Sequence, residues 1–381
     1  MVKIKIMFVI LLLNGFLDLS ATSQIPESCP KRLLSKIPGN HLYHKKNKPI
    51  YIAHRGQPKV YLENTLEGIK STVDIKADGY ELDIFLTKDE KLIVFHYENT
   101  LDLAGVDKNI SDCTYDELLQ LNLTDNVIRG GKEYRFKSTS KIPLLKDVLT
   151  AMKNTDLLHV LEMKPEYFDR NDHSQSEIIG QKVAKLVTEM NLVEKAVIIS
   201  FDYRKIRAAK KENENLVVGS LVMNDFSLIP KSRWDLGLFP ELQQCFFDAP
   251  NNTLDFYHFL IESGILFKAG GASLFIAGLN VYEERPLPNN TLTVLKNNYR
   301  NDINSGFYTA YSMYNTEDQN LAFQTKYKTL FSQGAELLIT DDVRRLRKLL
   351  QSSSAHKNIA VCSCFMAFYL LACSWLMINT V

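Results

Sequence analysis

Alternation between strand-like and helix-like patterns is the feature that most constrains the fold of this 381-residue chain. Short β-type runs recur between Tyr51 and Thr340, and helical periodicity over residues 144–153, 174–190 and 203–211 separates several of them. A strand, a crossover helix and a second strand form the parallel βαβ unit. Because this alternation continues for most of the chain, the sequence predicts an α/β protein built on parallel strands.

Polar residues near the carboxyl ends of the predicted strands favour a closed barrel over an open, doubly wound sheet. These residues are His54, Glu81, Asp83, His96, Glu162, Ser200, Tyr311 and Asp341. A barrel gathers site residues from many strand ends on one face, whereas an open sheet concentrates them at one switch point. The sequence contains neither a GxGxxG motif nor a P-loop. We therefore predict a TIM (β/α)8 barrel over residues 49–351, with residues 97–141 as a small insertion after the second strand.

The two ends of the chain have compositions typical of export. Residues 1–23 combine two lysines, a short apolar run and small residues, which predicts a cleaved signal peptide. An uncleaved anchor is the alternative, but the apolar run is short for a bilayer core of about 30 Å. Residues 352–381 predict either a GPI-attachment signal or a tail membrane helix. We expect a protein of the secretory pathway, either secreted or bound to the outer face of the plasma membrane.

Composition excludes one class of partner and agrees with export. The net charge of +1 and the lack of a basic block with interleaved aromatic residues argue against a nucleic-acid partner. Outside the tail the chain has Cys29, Cys113 and Cys245, of which one pair could form a disulfide in an exported protein. Which pair would form is open. N-glycosylation sequons begin at Asn109, Asn122, Asn251 and Asn289.

Three acidic residues are candidates for binding a divalent cation. Glu81 and Asp83 are separated by one residue, so their side chains project to the same face of a strand. The intervening Leu82 and the following Ile84 should face the helices, which directs both carboxylates into the barrel. Glu162 adds a third carboxylate from the next unit. Such oxygen ligands suit Mg²⁺ or Ca²⁺ rather than zinc.

Two histidines and two cations complete the candidate site. Imidazole titrates near neutral pH, so His54 and His96 could act as an acid and base pair. Arg55 and Lys164 could stabilise the charge on a phosphate group. Lys164 follows Glu162 by two residues and should share its face. His159, on the same strand, reads instead as an ordinary core residue.

An ordered set of motifs between Tyr51 and Leu350 resembles the glycerophosphodiester phosphodiesterase family. The matching residues are His54-Arg55-Gly56, Glu63-Asn64-Thr65, Glu81-Leu82-Asp83, Thr87-Lys88-Asp89, His96, Ile142-Pro143 with Leu145, Glu162 with Lys164, Ser200-Phe201 and Ile339-Thr340-Asp341. Each motif alone is a weak signal. Their order and spacing together are specific.

The resemblance implies a TIM barrel with one divalent cation and two catalytic histidines. By position, Glu81, Asp83 and Glu162 match the metal ligands, and His54 and His96 match the acid and base. Two further sets also match. Arg55 and Lys164 correspond to the cations beside the phosphate, and Glu63 to an acidic residue that supports the site. The implied substrate is a small glycerophosphodiester, which is hydrolysed to glycerol phosphate and an alcohol.

Two departures from the family pattern bear on the expected activity. Tyr97 stands where the family usually has Asp after the second histidine, so the orientation and pKa of His96 could differ. Tyr311-Ser312-Met313-Tyr314-Asn315 stands in place of a late Trp-Thr-x-Asn element, which affects the shape of the pocket. One alternative is a lysophospholipase D that makes lysophosphatidic acid, with Phe246, Phe247, Phe256 and Phe259 admitting an acyl chain. Another is a catalytically inactive barrel that serves as a surface binding or adhesion module.

Overall fold

The computed structural model describes residues 37–351, apart from 130–131, 137–139, 166–173, 223–273, 279–303 and 310–334. The strands are β1 (Ile50–His54), β2 (Gly79–Leu86), β3 (Leu92–Val94), β4 (Asn126–Arg129), β5 (Lys132–Arg135), β6 (Leu158–Met163), β7 (Ala196–Ser200), β8 (Val217–Val222), β9 (Leu274–Gly278), β10 (Asn304–Thr309) and β11 (Leu337–Thr340). Within this part of the chain, eight of them are mutually parallel, and β1 pairs with both β2 and β11. The ring is therefore closed, which confirms the predicted barrel.

Helices cover the outside of the ring and one of its ends. They are α1 (Leu42–Lys45), α2 (Leu66–Lys70), α3 (Leu101–Ala104), α4 (Tyr115–Leu119), α5 (Leu145–Met152), α6 (Ser174–Glu189) and α7 (Tyr203–Glu212), and residues 343–351 are also helical. Among the helices within residues 37–351 that are described, none combines the length and the apolarity needed to cross a bilayer.

The barrel strands are buried on both faces, which explains their nearly continuous apolar sequences. Inward-facing side chains such as Ile52, Val160 and Ile339 belong to one core that fills the barrel. Outward-facing Leu82 and Ile84 belong to a second core, shared with α5, α6 and α7. Because side chains alternate along a strand, Glu81 and Asp83 face the barrel interior, as the sequence predicts.

Helix α1 closes the amino-terminal end of the barrel. Leu42 and Tyr43 join the interior core, and the Leu42 N–H donates to Glu194 O at 2.7 Å. His41 caps the helix through its Nδ1 atom, and its Nε2 lies 3.1 Å from Ala196 O. Apolar side chains close this end of the barrel. The carboxyl ends of the parallel strands, which carry the polar residues, lie at the opposite face.

The segment after β2 differs from a simple βα unit. The strand-like run at Leu92–His96 contains β3, which pairs antiparallel with β2 and adds a ninth strand to the sheet. Beyond it, α3, α4 and the β4–β5 hairpin surround a third apolar core, which includes Phe95 and Leu118. Thr114 and Glu117 begin α4 with a reciprocal capping box. This small insertion lies between β3 and α5, in the region predicted for it.

Strand β9 was not predicted from the sequence. Of the strand expected over residues 307–313, residues 307–309 belong to β10, and residues 310–313 lie outside the described part of the chain. Several sequence predictions lie outside the described residues. They are the signal peptide at 1–23, the tail at 352–381, the strand at 244–247, the four phenylalanines between 246 and 259, Tyr311 to Asn315, Cys29, Cys245, Asn251 and Asn289.

Candidate active site

Four strands bring five polar side chains to the carboxyl-terminal face of the barrel. His54 ends β1 and lies beside Glu81 on β2 in the strand register, while Asp83 lies beside Glu162 on β6. Asp341 directly follows β11. None of the five residues is more than 8% exposed. The register therefore places the predicted histidine and carboxylates in one buried group.

The carboxylates of Glu81, Asp83 and Glu162 form an acidic triad. One oxygen from each lies within 4.8 Å of the others. Glu81 Oε1 is buried and has no hydrogen-bond partner among the residues that the structure describes. Burial, together with the neighbouring charges of Asp83 and Glu162, raises the pKa of Glu81 well above its usual value. Burial and mutual repulsion therefore disfavour three ionised carboxylates at this site.

Arg55 lies against the acidic residues. Its Nη1 donates to Glu63 Oε1 at 3.0 Å, its Nε lies 3.0 Å from Asp83 Oδ2, and its backbone N–H donates to Glu81 Oε2 at 3.1 Å. Burial disfavours its charge, but the three carboxylates raise the pKa of the guanidinium above its usual value. Glu63 thus supports the site by orienting Arg55.

The turn after β1 has a backbone conformation that makes this contact possible. Arg55 and Gly56 have φ angles of 53° and 92°, both in the left-handed region. A Cβ added to Gly56 would lie 2.6 Å from the backbone carbon of Gly68. Glycine is therefore required in the His54-Arg55-Gly56 motif for its φ angle and for the close approach to α2.

Lys164 places a second cation beside the acidic residues. Its Nζ lies 2.6 Å from Glu162 Oε1 and 3.6 Å from Asp83 Oδ1. The ring of Phe201 lies 5.9 Å from the ammonium group. Lys164 and Glu162 share one face, as their spacing predicts.

Asn64 is a site residue whose role sequence reasoning missed. Its Nδ2 donates to Asp83 Oδ2 at 2.8 Å, and its Oδ1 accepts the Asp83 N–H at 3.2 Å. Its φ angle is 58°, and Thr65 next to it caps α2. Its contacts link the amino-terminal end of α2 to Asp83.

Asp341 orients His54. The Nδ1 atom of His54 lies 2.6 Å from Asp341 Oδ1. A carboxylate accepts hydrogen bonds, so Nδ1 carries the proton and Nε2 is the atom that can take part in chemistry. That Nε2 lies 3.8 Å from Glu81 Oε2. The sequence placed Asp341 at a strand end but did not predict this pairing.

His96 reaches the site because β3 runs back along β2. The Phe95 N–H donates to Asp83 O at 3.0 Å, so His96 lies next to the acidic triad. Burial and the charge of Arg55 lower the pKa of His96 well below its usual value. Its Nδ1 is buried without a hydrogen-bond partner within the described part of the chain. Tyr97 packs edge-on against it, with ring centroids 4.6 Å apart.

The charges at this site fit a divalent cation. The carboxylates of Glu63, Glu81, Asp83 and Glu162 lie beside the cations of Arg55 and Lys164. When all six side chains are ionised, they carry two more negative than positive charges. The donor atoms are oxygens, and among the described residues Glu81 Oε1 has no hydrogen-bond donor. Mg²⁺ and Ca²⁺ prefer such ligands.

The remaining predicted positions lie away from this site. Asn109 and Asn122 are exposed on the insertion. Cys113 is a buried thiol and forms no disulfide with any residue that the structure describes. His159 is buried as predicted, and its Nδ1 contacts Tyr80 OH. Its Nε2, however, has no hydrogen-bond partner within the described ranges.

Comparisons of the sequence with known proteins identify one family. Residues 54–229 match the model of the glycerophosphoryl diester phosphodiesterase family. A glycerophosphodiester phosphodiesterase of Caldanaerobacter subterraneus is 32% identical over 46% of this chain and 67% of its own length. A human lysophospholipase D is 29% identical over 54% of this chain and 58% of its own length. For a rat lysophospholipase D the identity is 26%, over 85% of this chain and 93% of the relative.

Solved structures with the same fold have low sequence identity to this chain. A Silicibacter pomeroyi protein has a TM-score of 0.61 at 16% identity, covering 84% of this chain and 98% of its own. An Oleispira antarctica phosphodiesterase, solved with the product sn-glycerol-3-phosphate, has a TM-score of 0.54 at 17% identity, covering 81% and 99%. These likenesses independently support the TIM-barrel fold.

Proposed function

This chain belongs to the glycerophosphoryl diester phosphodiesterase family of phosphoric diester hydrolases, and on that premise we propose that it hydrolyses glycerophosphodiesters to glycerol phosphate and an alcohol in a metal-dependent reaction. The observation that carries the proposal is the buried triad of Glu81, Asp83 and Glu162, with oxygens within 4.8 Å of one another. Two cations and the His54–Asp341 pair adjoin it.

The acidic triad would hold one divalent cation, Mg²⁺ or Ca²⁺. Bound there, the ion supplies Lewis-acid chemistry and a template for the phosphate oxygens. Asn64 and Arg55 restrain Asp83, so that this carboxylate keeps its position when the site is loaded. Lys164 and Arg55 would place positive charge beside the phosphate group of the substrate.

The two histidines differ in surroundings, and this difference supports our proposal for their roles. His96 is kept neutral by burial and by Arg55, so it can accept a proton from the attacking hydroxyl of water or of the substrate. His54 is paired with the Asp341 carboxylate, which stabilises an imidazolium. We assign His54 as the acid that protonates the departing alcohol oxygen when the phosphorus–oxygen bond breaks. His96 is then the base.

Lysophospholipids are the second candidate substrates. They are favoured by the similarity to the rat lysophospholipase D, because that match extends over 93% of the relative's length. The product would then be lysophosphatidic acid. The chemistry at phosphorus would be the same for both substrates.

Turnover by the purified protein tests the proposal. Glycerophosphocholine and lysophosphatidylcholine are offered in parallel with Mg²⁺, Ca²⁺ or EDTA, and the variants Glu81→Ala and His54→Ala are assayed beside Asp156→Asn, an exposed control. We expect EDTA and both site variants to lower kcat/KM by about 100-fold or more, and the control to have no effect. A folded protein that is inactive on both diesters with either metal would contradict the proposal and favour a binding or adhesion barrel.

We also propose export to the cell surface or the exterior, with membrane attachment through the tail. The composition of residues 1–23 and 352–381 and the exposed sequons at Asn109 and Asn122 support this. Loss of mass on treatment with peptide-N-glycosidase, and release from cells by phosphatidylinositol-specific phospholipase C, would be expected of a GPI-linked glycoprotein. Resistance to the second enzyme with retention in membranes would indicate a tail helix instead. A protein recovered unglycosylated in the cytosol would refute export.

A further inference from the structure

Side chains from the next βα unit hold the backbone on both sides of Lys164. Ser200 Oγ, at the end of β7, donates to Met163 O at 3.0 Å. Lys205 Nζ, on α7, donates to Pro165 O. The Lys164 N–H itself donates to Ile84 O on β2 at 2.8 Å. Three consecutive residues at the end of β6 are thus fixed by the strands and the helix around them.

Lys205 is an unusual residue to find in this position. Its side chain is completely buried, and its Nζ lies 3.9 Å from the Oδ2 atom of Asp202. A lysine in a protein interior is costly unless hydrogen bonds and an opposite charge compensate it. Burial lowers the pKa of its ammonium group to about 7. Helix packing alone would be served as well by an apolar side chain of this size.

Asp202, which accepts a hydrogen bond from Ser176, lies beside the ammonium group of Lys205. Ser176 Oγ donates to Asp202 Oδ2 at 2.5 Å, which links the start of α6 to the start of α7. Arg204 Nε contacts Asp202 Oδ1 at 3.0 Å. A Cβ on Gly180 would lie 2.4 Å from Lys205 O, so the two helices approach as closely as a glycine permits. The head group of Lys205 is therefore aimed at Pro165 O by a rigid frame.

We infer that Lys205 is a positioning residue, which acts through the Pro165 carbonyl to hold Glu162 and Lys164 against Asp83. The inference rests on the proposed function, because it assigns Lys205 to the support of that site. Glu162 is two residues before Lys164 on the same short segment, and a shift of this segment would move the carboxylate and the ammonium together. Loss of a partner that supports a metal ligand typically costs about 10–100-fold in metal affinity.

Lys205→Met tests the inference, because methionine keeps an apolar stem of similar length and removes the donor. Lys210→Met is the matched control, since Lys210 lies on the same helix and also donates to a backbone carbonyl, Glu214 O at 2.6 Å, away from the site. Lys205→Arg restores a charged donor. Three quantities are measured: the Kd for Mn²⁺ by calorimetry, amide exchange of residues 159–165 relative to β11, and kcat and KM separately.

We expect Lys205→Met to weaken Mn²⁺ binding by about 10-fold or more, to speed amide exchange at Lys164 but not in β11, and to lower kcat. Lys210→Met should match the wild type, and Lys205→Arg should recover part of the Mn²⁺ affinity. A merely structural lysine would speed amide exchange in residues 159–165 and in β11 alike and leave the Mn²⁺ affinity of the folded protein unchanged, and that result would overturn the inference.

Ser200→Ala keeps the test decisive if Lys205→Met does not fold. It removes the parallel contact to Met163 O and should produce the same local change in exchange and in Mn²⁺ affinity. The two proposals fail in different ways. If the folded wild type binds no divalent cation, the proposed function is contradicted. If the wild type binds Mn²⁺, but Lys205→Met and Ser200→Ala bind it equally well, only the role of Lys205 is contradicted.

Discussion

Asp341 illustrates how a residue outside the acidic triad can control the chemistry at this site. Its carboxylate contacts His54 across 287 positions of sequence and determines which imidazole nitrogen faces the pocket. Asn64 has a similar relation to Asp83, since it bonds both the side chain and the backbone N–H of that residue. At the residue scale, therefore, the supporting side chains determine how the candidate catalytic and ligand groups are presented.

The first prediction concerns Asp341→Asn. Asparagine can offer an N–H instead of a lone pair to His54 Nδ1, which would favour the wrong tautomer and would not stabilise an imidazolium. We expect kcat to fall by about 100-fold or more, with Mn²⁺ affinity unchanged, as measured by steady-state kinetics and calorimetry. The adjacent Asp342→Asn weakens the ion pair with Lys59, keeps an oxygen for the Arg345 N–H and should be active. Equal activity of both variants would exclude a role for Asp341 in orienting His54.

The second prediction concerns Tyr97→Asp, which places a carboxylate next to His96. Burial and Arg55 hold the pKa of His96 down, and an added negative charge opposes this effect. If His96 is the base, the acid limb of the kcat/KM profile should move to higher pH. Tyr97→Asn is the uncharged control and should leave that limb in place. The same shift in both variants would mean that packing, rather than charge, is responsible.

At the scale of elements, pairs of neighbouring strands and helices set the distances within the site. The register of β2 with β1 and β6 aligns Glu81 with His54 and Asp83 with Glu162. Behind this face, α6 and α7 pack together and hold Lys205 in place. Small changes between these helices should therefore affect both the stability of the fold and the site.

The third prediction concerns Gly180→Ala, at the contact of α6 with α7. The new Cβ would lie 2.4 Å from Lys205 O and 2.8 Å from Ala208 Cβ, so the helices must separate. Alanine favours a helix by at most about 1 kcal/mol, whereas overpacking costs about 1–3 kcal/mol. We expect a net loss in the free energy of unfolding, measured with urea. Gly39→Ala, which has no atom within 4 Å of its new Cβ, should be neutral; stabilisation by Gly180→Ala would show that the helices have room to move.

At the scale of the whole molecule, the barrel has an apolar end closed by α1 and, opposite to it, a polar end where the strands terminate. His41 lies at the sealed end, almost fully buried, where it caps α1 and contacts Ala196 O. Burial lowers its pKa to about 4. This histidine must stay neutral for the end of the barrel to close, which couples the stability of the fold to pH.

The fourth prediction follows from that coupling. Between pH 6.5 and about 4 the unfolded chain binds a proton at His41 and the folded chain does not, so stability is lost as the pH falls through this window. The loss is at most about 1.4 kcal/mol per pH unit. His41→Asn replaces the capping nitrogen with an amide oxygen that can accept the same N–H and that cannot titrate, so urea unfolding of this variant should depend less on pH over this range. Identical pH dependence in the variant and the wild type would exclude His41 as the source.

Much of the fold and most of the candidate site could be predicted from local patterns. Alternation of apolar residues reports which face of a strand is buried, and this is enough to place Glu81, Asp83 and Glu162 inside the barrel. Strand β9 was not predicted. Its apolar run lies close to other apolar residues, where periodicity alone does not separate a strand from its surroundings.

The sequence by itself determined the residue types at the strand ends, the order of the motifs and the alternation that leads to a barrel, because these depend on neighbours along the chain. Only the tertiary structure decided how distant segments meet. It turned β3 back so that His96 adjoins Asp83, paired Asp341 with His54, and aimed Lys205 at Pro165 O. These contacts arise when the ring of strands closes, and the free energy of that closure is shared among strands far apart in sequence, so no local pattern encodes them.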